Sequence, residues 1–360
     1  MIESFDNLSI VILEKKAMKA GLLVFALWML MGAGQALSAE LPDGLPSTFD
    51  SLGPTVQQLS LSDGRQVHFI DDGVDSDLPV VFVGGLGTSV RVIRLLDFLR
   101  SMRVGLNLRM ISVERNGYGQ TAFDPKLAMA DFSAEVEAVL AHLGIDRFAL
   151  FGISGGGPYV AKIAARNPSR VLSIHMAATS PALGQPERCG AASPASVYRD
   201  LLSQPMAFFG FPKDSPMHRV AGFQDTAFEE AARAHNGRGQ QADPAPLDHE
   251  IGLYCAEGRI DTDEVSAPLF VYEGGADAVL DQAGSKAWQR AFPAAPIVLR
   301  AYPGEGHDVQ YRHLDQILLD IAGYGDKILI CKDNINSLVS AETDTQAAGT
   351  VLGLCAWTSE

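Results

Sequence analysis

The amino-acid sequence predicts an α/β protein, a mostly parallel β-sheet covered by helices on both faces. Three observations predict it. The unbroken apolar run LPVVFVGG (78–85) reads as a strand buried on both faces, RFALFG (147–152) as another buried strand and VLSIHMAA (171–178) as the next strand. Between them lie stretches with apolar residues at helical spacing. Thirty-five scattered glycines supply the tight turns that such alternation needs.

The elements follow in chain order. RQVHFIDDG (65–73) reads as an edge strand, and LPVVFVGG follows as a buried one. Val92, Leu95, Leu96 and Leu99 give a helical stripe over 88–103. RMISVERNGYG (109–119) is a strand leading into a turn. Phe132, Val136, Val139, Leu140 and Leu143 predict a helix over 131–143. After RFALFG comes a helix over 155–167, then VLSIHMAA. This βαβ rhythm stops between about 180 and 262, a stretch rich in Pro, Phe, Met and charge. It resumes with APLFVYEGG (267–275), a helix around 283–292, PIVLRAYPG (296–304) and a closing helix over 313–323. Beyond it, KILICKD and GTVLGLCAW read as two short strands, a hairpin extension over 325–360.

At 360 residues, 47% hydrophobic and 20% charged, the chain has the composition of an ordinary globular protein with a sizeable core. Its 28 Lys+Arg against 43 Asp+Glu give a formal charge of −15. So acidic a surface repels phosphate backbones and argues against nucleic acid as a partner. A small, mostly uncharged molecule is the expected substrate, with no metal and no cofactor. Lys15, Lys16 and Lys19 precede the apolar run AGLLVFALWMLMGAG (20–34), and Ala36, Ser38 and Ala39 follow it. That order marks residues 1–39 as a secretory signal peptide, so the expectation is an exported protein, periplasmic or secreted. The alternative is an uncleaved anchor through residues 20–34, for which about 15 apolar residues are short. Four cysteines in an exported chain allow three pairings. Pairing within regions joins Cys189 to Cys255 and Cys331 to Cys355.

The chemistry centres on F-G-I-S-G-G-G-P (151–158), which matches G-x-S-x-G at Gly152, Ser154 and Gly156. Such a serine sits on a sharp strand-to-helix turn, and glycines flank it because side chains there would clash with neighbouring elements. G-G-L-G-T (84–88) follows a strand, as an oxyanion loop does. E-R-N-G-Y-G-Q-T (114–121) resembles an Asp-Arg-x-Gly-x-Gly-x-Ser turn, with Glu114 and Thr121 as conservative departures. On these motifs the sequence resembles the α/β-hydrolase superfamily over residues 65–180 and 265–322.

That resemblance implies an eight-stranded-type sheet, with a first core segment over 40–180, a helical lid inserted over 181–264 and a second core segment over 265–324. It implies Ser154 as nucleophile and His307, in P-G-E-G-H-D (303–308), as general base. Asp277, ending Y-E-G-G-A-D (272–277), stands as the orienting acid, ahead of Asp281 and Glu273. The oxyanion donors map to the amides of Leu86 and Gly155, and Gly84 stands where the family usually has His. The order Ser, Asp, His is the one this fold uses. His142 and His175 fall within a helix and a strand, His68 and His313 in the first strand and closing helix, and His218, His235 and His249 in the insert.

The function this implies is hydrolysis of a carboxylic ester through an acyl-enzyme. An aminopeptidase resembling proline iminopeptidases is a second reading. Those enzymes usually carry Trp after the nucleophile, where this chain has Gly155. A third is a non-catalytic ligand receptor on the same fold. Met206, Phe208, Phe209, Phe211, Met217 and Phe223 in the insert are candidates for an apolar pocket.

Overall fold

A computed structural model describes residues 55–181, 189, 244–257, 260–280, 284–343, 345 and 349–355. The expected signal peptide, most of the expected lid with its Met and Phe residues, and Asp281 lie outside the described residues.

Eight strands form the main sheet: β1 (Gln57–Ser60), β2 (Gln66–Asp72), β3 (Leu78–Val83), β4 (Leu108–Val113), β5 (Phe148–Ile153), β6 (Val171–Ala177), β7 (Leu269–Gly274) and β8 (Ile297–Tyr302). Their spatial order is β1-β2-β4-β3-β5-β6-β7-β8. The β1–β2 and β2–β4 pairings are antiparallel and all the others parallel. Among the described residues the helices are α1 (Arg100–Gly105), α2 (Met129–His142), α3 (Gly157–Arg166), α4 (Ala245–Ala256), α5 (Gly284–Ala291), α6 (Val309–Arg312) and α7 (Leu314–Ile321). This is the mostly parallel eight-stranded sheet flanked by helices that the sequence implies, with a small antiparallel sheet after it.

Why the central strands read as continuous apolar runs is visible in β3. Val81 and Val83 face one layer, packed with Val136, Val139 and Val160 of α2 and α3. Val80 and Phe82 face the other, with Val92, Leu95, Ile317 and Leu318. Successive side chains of a strand point to opposite faces, so helices on both sides require apolar residues at every position.

Three details differ from expectation. The 65–73 segment is not the edge: β1 lies outside β2, and its sequence QQLS gave no apolar signal because only Leu59 turns inward. The 88–103 helix is a 3-10 segment, Val90–Leu99, that passes into α1. The extension is a three-stranded sheet and not a simple hairpin. Its strands β9 (Lys327–Lys332), β10 (Ile335–Ser340) and β11 (Thr350–Leu352) lie in the order β10-β9-β11. The unforeseen β10 enters through Asp333 and Asn334, both at positive φ (53° and 60°), a two-residue turn suited to the twist of a hairpin.

The cysteines pair as Cys189–Cys255 and Cys331–Cys355. Two disulfides fit an oxidising compartment and hence an exported protein. Among the described residues no helix is long and apolar enough to cross a membrane.

Candidate active site

Ser154 stands where β5 ends. It follows Ile153 directly and opens a 3-10 turn, Ser154–Gly156, that runs into α3. Its φ is +47°, a left-handed conformation that costs a non-glycine residue about 1–2 kcal/mol. The flanking glycines show why the chain tolerates so tight a bend. A Cβ on Gly152 would lie 2.8 Å from Val160 Cγ2, and one on Gly156 would collide with the carbonyl oxygen of Val83 and sit 2.8 Å from that of Gly84. The bend thus lifts one hydroxyl above the ends of the parallel strands.

His307 and Asp277 reach it from loops after β8 and β7. His307 Nε2 lies 3.0 Å from Ser154 Oγ, and its Nδ1 lies 2.9 Å from Asp277 Oδ2. Asp277 Oδ1 accepts hydrogen bonds from the amides of Val279 (2.8 Å) and Leu280 (3.1 Å). Burial raises the Asp277 pKa, but the His307 hydrogen bond and charge and those two amides outweigh it, leaving the carboxyl below its ordinary value. An ionised carboxylate on Nδ1 fixes the tautomer that leaves Nε2 open to the serine. His307 is buried, whereas Asp277 and Ser154 are partly exposed, although the Asp277 side chain itself is largely covered.

The loop after β3 closes the other side. A Cβ on Gly155 would lie 2.6 Å from Leu86 N and 2.8 Å from Tyr254 Oη, so the two expected donor residues pack directly against one another. A Cβ on Gly85 would sit 3.3 Å from Ser154 Cβ. At Gly84, a Cβ would come 2.5 Å from both Thr88 Oγ1 and Val92 Cγ1. Thr88 fills that space, and its hydroxyl donates to Gly85 O at 2.7 Å.

Beneath this loop lies a buried polar cluster that the sequence reading missed. Arg115 Nη1 is 2.7 Å from Glu250 Oε1, a charge contact and not an aligned hydrogen bond. Arg115 Nη2 donates to Gly85 O, and to Thr88 O and Oγ1 at 3.2 and 3.1 Å. Glu250 Oε2 accepts from Gly87 N at 3.1 Å and from Tyr118 Oη at 2.6 Å. Tyr254 Oη lies 2.7 Å from Gly155 O and 3.0 Å from Glu250 Oε1, one hydroxyl proton serving two acceptors. Arg115 also lies over the Tyr159 ring, 5.2 Å from its centroid. Burial opposes the Arg115 charge, but Glu250 and the surrounding tyrosine hydroxyls keep its pKa above the ordinary value. Glu114, also buried, accepts from Val90 N at 2.7 Å, and burial raises its pKa to about 7. Some of this was available in the sequence: Leu247, Ile251 and Tyr254 have helical spacing, and Glu250 and Tyr254 are four residues apart on that helix.

The other candidates are otherwise engaged. Glu273 accepts from the amide and hydroxyl of Ser285 at the start of α5. His175 is wholly buried, 2.9 Å from both Tyr272 Oη and Ser173 Oγ. Burial, with the Arg300 charge, lowers its pKa to about 3. His249 lies 2.7 Å from Leu127 O, His68 lies 2.9 Å from Thr121 Oγ1, and His313 meets Glu305. His218 and His235 lie outside the described residues.

Residues 79–314 match the model of the alpha/beta hydrolase fold family, and the chain belongs to that family. No curated protein matches the sequence. Among solved structures, a carboxylesterase of the thaumarchaeon Nitrososphaera gargenis is 18% identical, with a TM-score of 0.55 over 75% of this chain and 98% of that one. The enol-lactonase of Burkholderia xenovorans is 16% identical, with a TM-score of 0.57 over 74% and 99%. A putative aryl esterase of Burkholderia cenocepacia is 17% identical, with a TM-score of 0.56 over 75% and 97%. At these identities the likeness is one of fold. Family and neighbours together support a hydrolase in general.

Proposed function

We propose that the chain is a serine hydrolase that cleaves a carboxylic ester, or a related acyl bond, of a small and mostly uncharged molecule. The observation that carries this reading is the hydrogen-bonded line from Ser154 Oγ through His307 to Asp277, set on a glycine bend at the C-terminal ends of the strands.

In this reading Ser154 Oγ–H donates to His307 Nε2. As Oγ attacks the acyl carbon, that proton passes to Nε2 and the carbonyl π electrons move onto oxygen. The amides of Leu86 and Gly155 receive the oxyanion, while Asp277 stabilises the imidazolium at Nδ1–H. Collapse breaks the bond to the leaving alcohol, which takes the proton from Nε2. Water then gives a proton to the same nitrogen and attacks the acyl-enzyme. The second tetrahedral intermediate collapses, Ser154 is reprotonated and the acid is released. The residues need no metal or organic cofactor for these steps.

Gly155 favours ester cleavage over the iminopeptidase reading. A side chain at that position would meet Leu86 N and Tyr254 Oη, so the space a Trp would occupy is already filled. The test is turnover of p-nitrophenyl esters of rising chain length beside a proline p-nitroanilide. Ester turnover that vanishes in Ser154→Ala supports the reading. Turnover of the anilide alone makes the chain a peptidase, and neither activity in folded protein leaves a receptor. We further read the two disulfides, with the lysines and apolar run before residue 39, as those of an exported enzyme.

A further inference from the structure

The family match and the line of Ser154, His307 and Asp277 leave the buried ions under the oxyanion loop unexplained. An ion pair in the interior is costly, and replacing both partners by apolar residues of similar volume is often neutral or stabilising. Arg115, Glu250, Tyr118 and Tyr254 are all buried, so stability alone is a poor reason for the pair.

Peptide geometry gives a better one. Arg115 donates to the carbonyl of Gly85, and that carbonyl belongs to the same peptide unit as the N–H of Leu86. A trans peptide is planar, its C=O and N–H pointing in opposite directions. Holding Gly85 O down onto a buried guanidinium therefore aims Leu86 N–H the other way, toward Gly155 and Ser154. A cation on the carbonyl also polarises the unit and strengthens its N–H as a donor. Glu250 takes the N–H of Gly87 in the next peptide unit, so Leu86 is gripped on both sides. Tyr254 adds a third grip on Gly155 O. Both Glu250 and Tyr254 come from α4, the helix that ends the expected lid, and Cys255 on that helix is bonded to Cys189.

We propose that Arg115, Glu250 and Tyr254 are positioning residues that orient the Leu86–Gly155 oxyanion donors, making the hole dependent on the docking of α4. This rests on the serine-hydrolase reading. It assigns to the α4 end of the insert a role in transition-state stabilisation as well as in shaping a pocket.

The test uses the full chain and two variants. Arg115→Met with Glu250→Leu removes the pair without stranding a buried charge. Tyr254→Phe removes one hydroxyl. Four quantities are measured: kcat and KM on p-nitrophenyl butyrate, Ki for phenylboronic acid as a tetrahedral mimic, and the rate of Ser154 labelling by a fluorophosphonate. The expected result for the double variant is a fall in kcat of about 100-fold, the scale of losing one oxyanion donor, with KM within about twofold. The boronate Ki rises by a similar factor. Tyr254→Phe shows the same split at about fivefold. A folded double variant with wild-type kcat and Ki overturns the inference while wild-type turnover leaves the hydrolase reading standing. If the double variant does not fold, Tyr254→Phe decides: unchanged kcat and Ki overturn the inference, and a matched change in both supports it. A folded wild type that is neither labelled at Ser154 nor active on any ester overturns the hydrolase reading and the inference together.

Discussion

Arg115, in the loop after β4, and Arg300, within β8, occupy two similar networks. Each is buried, each faces a carboxylate, and each carboxylate accepts a tyrosine hydroxyl, Tyr118 on Glu250 and Tyr272 on Asp320. What they hold differs. Arg115 grips Gly85 and Thr88, backbone beside Ser154. Arg300, on β8, makes two bonds to Asp320 of α7 and donates onward to Gly325 O (2.8 Å) and Lys327 O (3.3 Å), where the chain enters the extension. Gln316 and Asp315 of α7 continue that seam. Gln316 Oε1 accepts from Leu329 N, and Asp315 Oδ2 from Leu354 N. The same chemistry thus anchors a loop at the candidate site in one region and a peripheral sheet in the other. Sequence type alone does not assign a buried Arg–carboxylate pair its task; the backbone groups it reaches do.

The comparison breaks if the two regions respond alike to mutation. The largest effect should come from Arg300→Ala, which leaves Asp320 buried without its cation. A loss of about 3–5 kcal/mol in urea denaturation is expected, with ester kcat within twofold in protein that stays folded. A fall in kcat of a hundredfold there would merge the two networks into one.

Removing the Cys331–Cys355 bond by a double Ser substitution should cost about 3 kcal/mol on the chain-entropy account, again with kcat preserved. Calorimetry on the oxidised wild type and the variant reads it. At the other network, Gly155→Ala puts a Cβ 2.6 Å from Leu86 N. That should lower kcat about 100-fold and, because the clash is with backbone, cost about 1–3 kcal/mol in urea unfolding.

The smallest effect is one of pH, and it belongs to the Arg300 side. His175 has its pKa lowered by burial to about 3, so the unfolded chain takes up a proton near pH 6.5 while the folded one does not. Stability from this group is complete above pH 6.5 and is lost as pH falls, by about 2 kcal/mol between pH 7 and 5. Urea titrations at several pH values should show that slope reduced in His175→Gln relative to wild type. An identical slope would remove His175 from the account.

Much of the fold was legible because it rests on local rules. Strands buried on two faces must be apolar throughout, which made β3 and β5 plain. The bend at Ser154 was legible because clashes with Val160 and Val83 admit only glycine at 152 and 156, a constraint that leaves a spelling in the sequence. His307 and Asp277 were legible through their places after strands. β1 and β10 were not, since QQLS is largely exposed and INSLVS carries no clean apolar alternation. Nor was the partner of Arg115. Glu250 lies far along the chain, within the long segment that interrupts the βαβ rhythm, and nothing local to either residue announces the other. Pairings made across space, such as Arg115–Glu250 and Arg300–Asp320, need the fold before they can be read.

The central claim is that Ser154 is made nucleophilic by His307. Intact-mass and peptide-level analysis of the full chain after exposure to a fluorophosphonate tests it most directly. The account predicts one adduct, on Ser154, formed at least 1,000-fold more slowly in a folded His307→Ala variant, in line with the loss of a triad base. No adduct on folded wild type, or labelling of Ser154 at the same rate without His307, would contradict it.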